Sequence, residues 1–287
     1  MHHNYGTRER ASGFQWKRLG VRQTLQQAIG SLRTVDCEMI DPLLLSVTKV
    51  STLKDQQHLT NASGFFYSCG EQLFLVTSRH VFRDDTTEHY PDRILIELHT
   101  DPNNLAQSTD FSIPLYRDGK SIWREGKDRA GSIDVAAVEI DRQALPDGLT
   151  YQSFDLKQMI GTRDIEIGTA LLVVGFPLGF HDTLHHLPVA RQAIMASCFD
   201  LRLQGQGYFL TDARTHRGMS GAPVVVRSNR HEGSTSEFKW MLAGIHSSRL
   251  DVGTRDLQLD ETLGLNCAWF ADILPTLTAT MRPLHSV

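Results

Sequence analysis

From Leu43 onward the chain is written in short apolar runs cut by turn-rich pieces, not in the 3.6-residue rhythm of amphipathic helices. "LLLSVTKV", "SGFFYS", "LFLVTSRHVF", "RILIELHT" and "DVAAVEI" read as strands, and "CGEQ" as a hairpin turn. A polar stretch, "DRQALPDGLTYQSFDLKQMIGTRD", interrupts the pattern. Strands then resume with "TALLVVGF", "ARQAIMASCF", "GYFLTD", "APVVVRS" and "WMLAGIHS". No helical period separates the strands, so a parallel βαβ sheet is not expected. Two successive strand groups imply two all-β units, each a sandwich or a barrel. The last piece, "NCAWFADIL", reads as a strand end leading into a short helix stopped near Pro275.

The residues before this body look like an appendage. Val21, Leu25, Ile29 and Leu32 recur at near-helical spacing, although Gly30 weakens the helix. The polar N-terminus has no apolar core of the kind a secretory signal needs, and no segment approaches a membrane span. A cytoplasmic location and no membrane partner are therefore expected. The net charge is −4, with no Lys/Arg run, so no nucleic acid is expected. Cys37, Cys69, Cys198 and Cys267 form no zinc-ligand spacing and read as separate thiols, with a disulfide between distant cysteines as the alternative.

Three positions carry chemistry together. In "DARTHRGMSGAPVVV", Ser220 stands between Gly218 and Gly221. A serine hydroxyl is a poor nucleophile until a base takes its proton, and the usual base is a histidine oriented by a carboxylate. "LFLVTSRHVF" places His80 at the end of an apolar strand, and "GSIDVAAVEI" places Asp134 at the start of another. The order His80, Asp134, Ser220 is that of a chymotrypsin-type triad and not of an α/β-hydrolase, and "GMSGA" lacks the second glycine of G-x-S-x-G.

"VTSRHVF", "IDVAAVEI" and "TDARTHRGMSGAPVV" resemble the histidine, aspartate and serine motifs of trypsin-like serine peptidases. The serine motif and "VVGFPLG" are closest to the bacterial HtrA-type branch, without a PDZ domain. The resemblance runs from about Leu43 to Leu274. It implies an all-β chain of two packed antiparallel six-stranded β-barrels, a short C-terminal helix and an N-terminal helical appendage. The divisions it suggests are 1–38, 39–145 with His80 and Asp134, 146–278 with Ser220, and a tail of 279–287.

The same resemblance assigns roles. Gly218 and Ser220 supply oxyanion-hole N–H groups, and Ser247 supports Asp134. Thr215 and His246 match a pair that binds a Glu or Gln side chain in glutamyl endopeptidases and picornaviral cysteine proteases, with Arg214 nearby. Imidazole and hydroxyl are the donors such a pocket needs. Met219 replaces the aspartate that binds a newly cut N-terminus in digestive relatives, so no activation of that type is expected. No cofactor and no metal are expected. His181 and His185 have H-x3-H spacing, with His186 adjacent, but they lie in a loop with no evident acidic or cysteine third ligand and read as a solvated surface. The implied partner is a protein or peptide substrate, with a regulatory partner for the N-terminal segment. The alternative is a catalytically silent or partner-activated binding and regulatory module on the same fold.

Overall fold

The computed structural model describes residues 40–161, 165–228, 238–249 and 264–279. The N-terminal appendage, its expected helix and Cys37 lie outside them. The first strand group comprises β1 (Val47–Lys54), β2 (Gln57–Cys69), β3 (Gln72–Thr77), β4 (Arg93–His99), β5 (Ser108–Pro114), the two-residue β6 (Tyr116–Arg117) and β7 (Lys120–Ser121), β8 (Trp123–Asp128) and β9 (Gly131–Ile140). The one-turn helix α1 (Arg79–Phe82) follows β3. The second group comprises β10 (Ala170–Gly175), β11 (Val189–Met195), β12 (Tyr208–Ala213), β13 (Pro223–Arg227), β14 (Trp240–Arg249) and β15 (Leu265–Phe270), followed by α2 (Leu274–Thr278).

The second group is a closed six-stranded antiparallel barrel in the order β10-β11-β12-β15-β14-β13, as expected. The first group differs from expectation in strand number. It is a seven-stranded sheet, β5-β4-β1-β2-β3-β9-β8. The strands that the sequence hid are β5 and β8, at its two ends. Both are mostly polar and half exposed. An edge strand needs little apolar surface and is protected by charge, so its sequence does not look like a strand.

The central strands are buried on both faces, which explains their near-continuous apolar runs. Successive side chains on a strand point to opposite faces. On β2, Phe66 joins the core of the first sheet, while Phe65 and Tyr67 enter a second core shared by the two strand groups. On β3, Leu73 and Leu75 face inward while Phe74 and Val76 face the shared core. Across from them, Val174 of β10, Val225 of β13 and Ile245 of β14 complete that shared core. The interior of the barrel has its own cluster, which includes Val173, Phe209, Met219 and Val224.

The connector from β9 to β10 is also tied in. Phe154 is fully buried, exchanges backbone hydrogen bonds with Phe66 and Ser68, and stacks edge-on against Phe65 with centroids 5.6 Å apart. The "CGEQ" hairpin forms as read, with Cys69 opposite Gln72 and Gly70 at φ +59°. At the other end, Pro275 opens α2 and does not stop it, since a proline in the first turn gives up no helical hydrogen bond. Among the described residues, Cys69, Cys198 and Cys267 are free thiols, and no helix is long and apolar enough to cross a membrane.

Replacing Phe154 by alanine should cost roughly 3–5 kcal/mol, because the connector cannot collapse into the space left in the shared core. Denaturant melts would show this as a lower midpoint; an unchanged midpoint would mean that the connector does not help hold the groups together.

Candidate active site

The site is assembled by strand register. Thr77, the last residue of β3, pairs with Ala136 of β9, so the chain leaving β3 passes Asp134 two residues further along. There it does not continue as a strand. It turns into α1, whose Val81 and Phe82 are buried in the core of the first sheet, and this places His80 beside Asp134. The His80 amide donates to Asp134 Oδ1 at 2.9 Å, and His80 Nδ1 donates to Oδ2 at 2.7 Å. This fixes the tautomer and leaves Nε2 for other work. Burial pulls the His80 pKa down, but the hydrogen bond and charge of Asp134 outweigh it, so the imidazole is raised above its ordinary value. Burial alone would raise Asp134, yet the hydrogen bond and charge of His80 and the Ser247 hydroxyl bring it below the ordinary carboxylate value.

Ser220 reaches the same place from the barrel. The Gly221 amide donates to the His246 carbonyl and the His246 amide to the Ala222 carbonyl, both at 2.8 Å, so the serine turn lies along the end of β14. The next residue on β14, Ser247, joins the two halves. Its hydroxyl donates to Asp134 Oδ2, and its carbonyl accepts from Ser220 Oγ at 3.0 Å. The serine hydroxyl therefore rests on a carbonyl and not on the imidazole.

Ser63 of β2 is a central residue that the sequence reading passed over. It is fully buried. Its hydroxyl donates to the Gly218 carbonyl at 2.7 Å and accepts the Phe176 amide at 3.0 Å, and its amide donates to the Ser220 carbonyl at 2.9 Å. The Leu178 amide donates to the Arg217 carbonyl at 2.6 Å. Two successive carbonyls of the serine turn are thus held by groups behind it. Gly218 has φ +91°, and an added Cβ would lie 2.4 Å from the Phe176 carbonyl oxygen. Gly221 has φ +84°, and its Cβ would lie 2.1 Å from Thr77 Oγ1. The glycines are demanded by backbone conformation and by close packing alike. Ser63 has no distinctive signal in the sequence, since it is one of several polar residues in β2.

A model of the trypsin-like peptidase domain family matches residues 62–231. The chain belongs to the trypsin-like peptidases. The domain is also similar to two solved structures of the HtrA-type protease AlgW with a tripeptide. One, at 18% identity and TM-score 0.47, covers 82% of this chain and 59% of its own. The other, a serine-to-alanine variant at 17% identity and TM-score 0.47, covers 84% and 62%. This chain thus spans about three fifths of the length of either. No curated protein matches the sequence.

Of the remaining residues singled out by sequence, Thr215 and His246 are both buried in the trypsin-like domain. Thr215 Oγ1 donates to Asn266 Oδ1 at 2.6 Å, and the Asn266 amide donates to the Ala213 and Gly264 carbonyls. Asn266 is another residue the sequence reading missed. Burial, aided by the proximity of His80, lowers the His246 pKa to about 4, so the ring is neutral near pH 7. Arg214 is exposed while its neighbours Ala213 and Thr215 are buried. Met219 is fully buried in the barrel core and pins the serine turn by packing.

Ser63→Ala leaves the Gly218 carbonyl and the Phe176 amide without their partner and should cost about 1–3 kcal/mol of stability. Gly221→Ala should cost about 3 kcal/mol or more, since it adds strain and a clash; equal melting curves for wild type and both variants would refute this account of the turn. In an NMR titration, His80 should titrate above ~6.5 and move down in Asp134→Asn. The signs for stability follow. The His80 contribution is present below ~6.5 and fades as pH rises through the folded value, while that of Asp134 is present above ~3.9 and fades as pH falls.

Proposed function

We propose that this chain is a serine endopeptidase that hydrolyses peptide bonds through an acyl-enzyme. The observation that carries the proposal is the Asp134–His80 pair joined to Ser220 through Ser247. In the reaction the Ser220 hydroxyl leaves the Ser247 carbonyl for His80 Nε2. His80 takes the proton as Ser220 Oγ attacks the peptide carbonyl, and returns it to the leaving amine. Asp134 stabilises the imidazolium. The Gly218 and Ser220 amides receive the oxyanion, an interaction worth about 3 kcal/mol per donor in such sites. Glycine at 218 leaves the approach clear.

For the residue before the scissile bond, the proposal is Gln or Glu, held by Thr215 and His246. A neutral His246 donates to a side-chain oxygen but offers no countercharge, and Arg214 is turned out to solvent. A buried carboxylate would cost more than an amide. Gln is therefore favoured near neutrality, and Glu gains as the pH falls and a carboxylate draws a proton onto the ring.

Labelling by a fluorophosphonate probe tests the chemistry. The wild type should label, and Ser220→Ala and His80→Ala should not. Absence of labelling in the wild type would instead favour a partner-activated module, a state in which the Ser220 hydroxyl stays on the Ser247 carbonyl. In a peptide panel, kcat/KM for Gln should exceed that for Leu by about a hundredfold. His246→Leu should cut that ratio at least tenfold. An unchanged ratio would remove both residues from the specificity pocket. The acid limb of kcat/KM should have its inflection above ~6.5, because His80 must be neutral to act and Asp134 holds its proton on.

A further inference from the structure

We propose that Glu97, His181 and His186 form a binding site for a first-row divalent cation, with zinc as the best fit. Each offers one ligand atom, and the three atoms lie within 4.8 Å of one another. The sequence showed the histidines without a third ligand. The fold supplies one from far away in the chain, since Glu97 belongs to β4 of the first sheet and the histidines to the loop after β10. The pair is also not the one that spacing suggested. His185 turns aside to Asp182, with Nδ1 2.7 Å from Oδ2, and His186 takes its place.

The donors are prepared as metal ligands are. His181 Nδ1 lies 2.7 Å from the Gly179 carbonyl oxygen. A carbonyl can only accept, so Nδ1 carries the proton and Nε2 presents a lone pair. His186 Nδ1 lies 2.6 Å from Glu97 Oε1, so two of the three ligands already meet and an ion would take over this contact. His186 also sits at φ +55°, a strained conformation for a side-chain-bearing residue, held here by the loop. The loop is fixed by the His99 ring donating to the His185 carbonyl at 2.8 Å, and by the Asp182 amide donating to the Leu187 carbonyl at 3.1 Å. Ser108 Oγ donates to Glu97 Oε1 at 3.2 Å, and Lys49 Nζ lies 3.3 Å from Oε2. Both oxygens of Glu97 are therefore engaged, Oε2 by Lys49 and Oε1 by Ser108 and His186, and an ion would bind Oε1 in place of the direct His186 contact.

Two imidazoles and one carboxylate suit zinc, which takes such sets with a water as fourth ligand. Calcium and magnesium prefer all-oxygen shells. An ion here would tie β4 to the loop that begins at Phe176 and Leu178, whose amides hold Ser63 and the Arg217 carbonyl. The cation would therefore brace the back of the serine turn without touching Ser220.

The test uses the full chain carrying Ser220→Ala, which makes the readout independent of any peptidase activity. After treatment with a chelator, the protein is titrated with Zn2+ by calorimetry and with Co2+ by visible absorption. The expected result is one equivalent bound, with the strong d–d bands of a four-coordinate Co2+ site and a rise in melting temperature. His181→Ala, His186→Ala and Glu97→Gln should each weaken Zn2+ binding by roughly a hundredfold, while His185→Ala binds as the parent does. Melting of the metal-free variants close to the metal-free parent shows that they fold. Absence of a stoichiometric Co2+ spectrum, or equal affinity in the parent and the three ligand variants, would overturn the proposal.

Discussion

Everything in this molecule depends on a set of strands buried on both faces. β2, β3 and β9 send alternate side chains into the core of the first sheet and into the core shared with the barrel. The shared core locks the two strand groups at one distance, and so the side chains at their seam are placed to within a hydrogen-bond length. A site divided between two independently folding units would need a further device to achieve this. Here the hydrophobic packing that stabilises the fold is also what brings Asp134 and Ser220 to the same residue, Ser247.

The seam also explains why so much of the candidate site is backbone held by buried polar side chains. Ser63 belongs to the first sheet, but its hydroxyl and amide serve the Phe176 loop and the serine turn of the barrel. Thr77 closes the loop back to the Ser63 carbonyl at 2.7 Å. Buried polar groups of this kind are costly unless satisfied, and when satisfied they select a single arrangement. Met219 contributes the apolar part of the same restraint from inside the barrel. The turn is held by hydrogen bonds on one side and by packing on the other. The cation site proposed beside it would add a third restraint through the Phe176 loop.

Much of the fold was legible because double burial leaves a plain mark: apolar runs too short for helices and bounded by turns. The edge strands β5 and β8 were not legible, because solvent faces them and their residues are chosen for solubility. His80, Asp134 and Ser220 could be picked out because each stands next to an apolar strand and their order is informative. The exposure of Arg214 between buried Ala213 and Thr215 was not legible, because adjacency in sequence says nothing about burial. Ser63, Asn266 and Glu97 were invisible for a different reason. Each is an ordinary residue in an ordinary strand, and its role comes from partners more than 50 residues away in the chain.

The sequence by itself determined the strand texture, the candidate nucleophile, base and acid, and the glycines at 218 and 221, because these are set by local periodicity and by backbone conformations only glycine tolerates. Tertiary structure alone decided that His186 and not His185 faces Glu97, that the Ser220 hydroxyl rests on the Ser247 carbonyl, and that His246 is buried and neutral. Those outcomes depend on register between distant strands and on desolvation, and neither exists until the two strand groups have packed together.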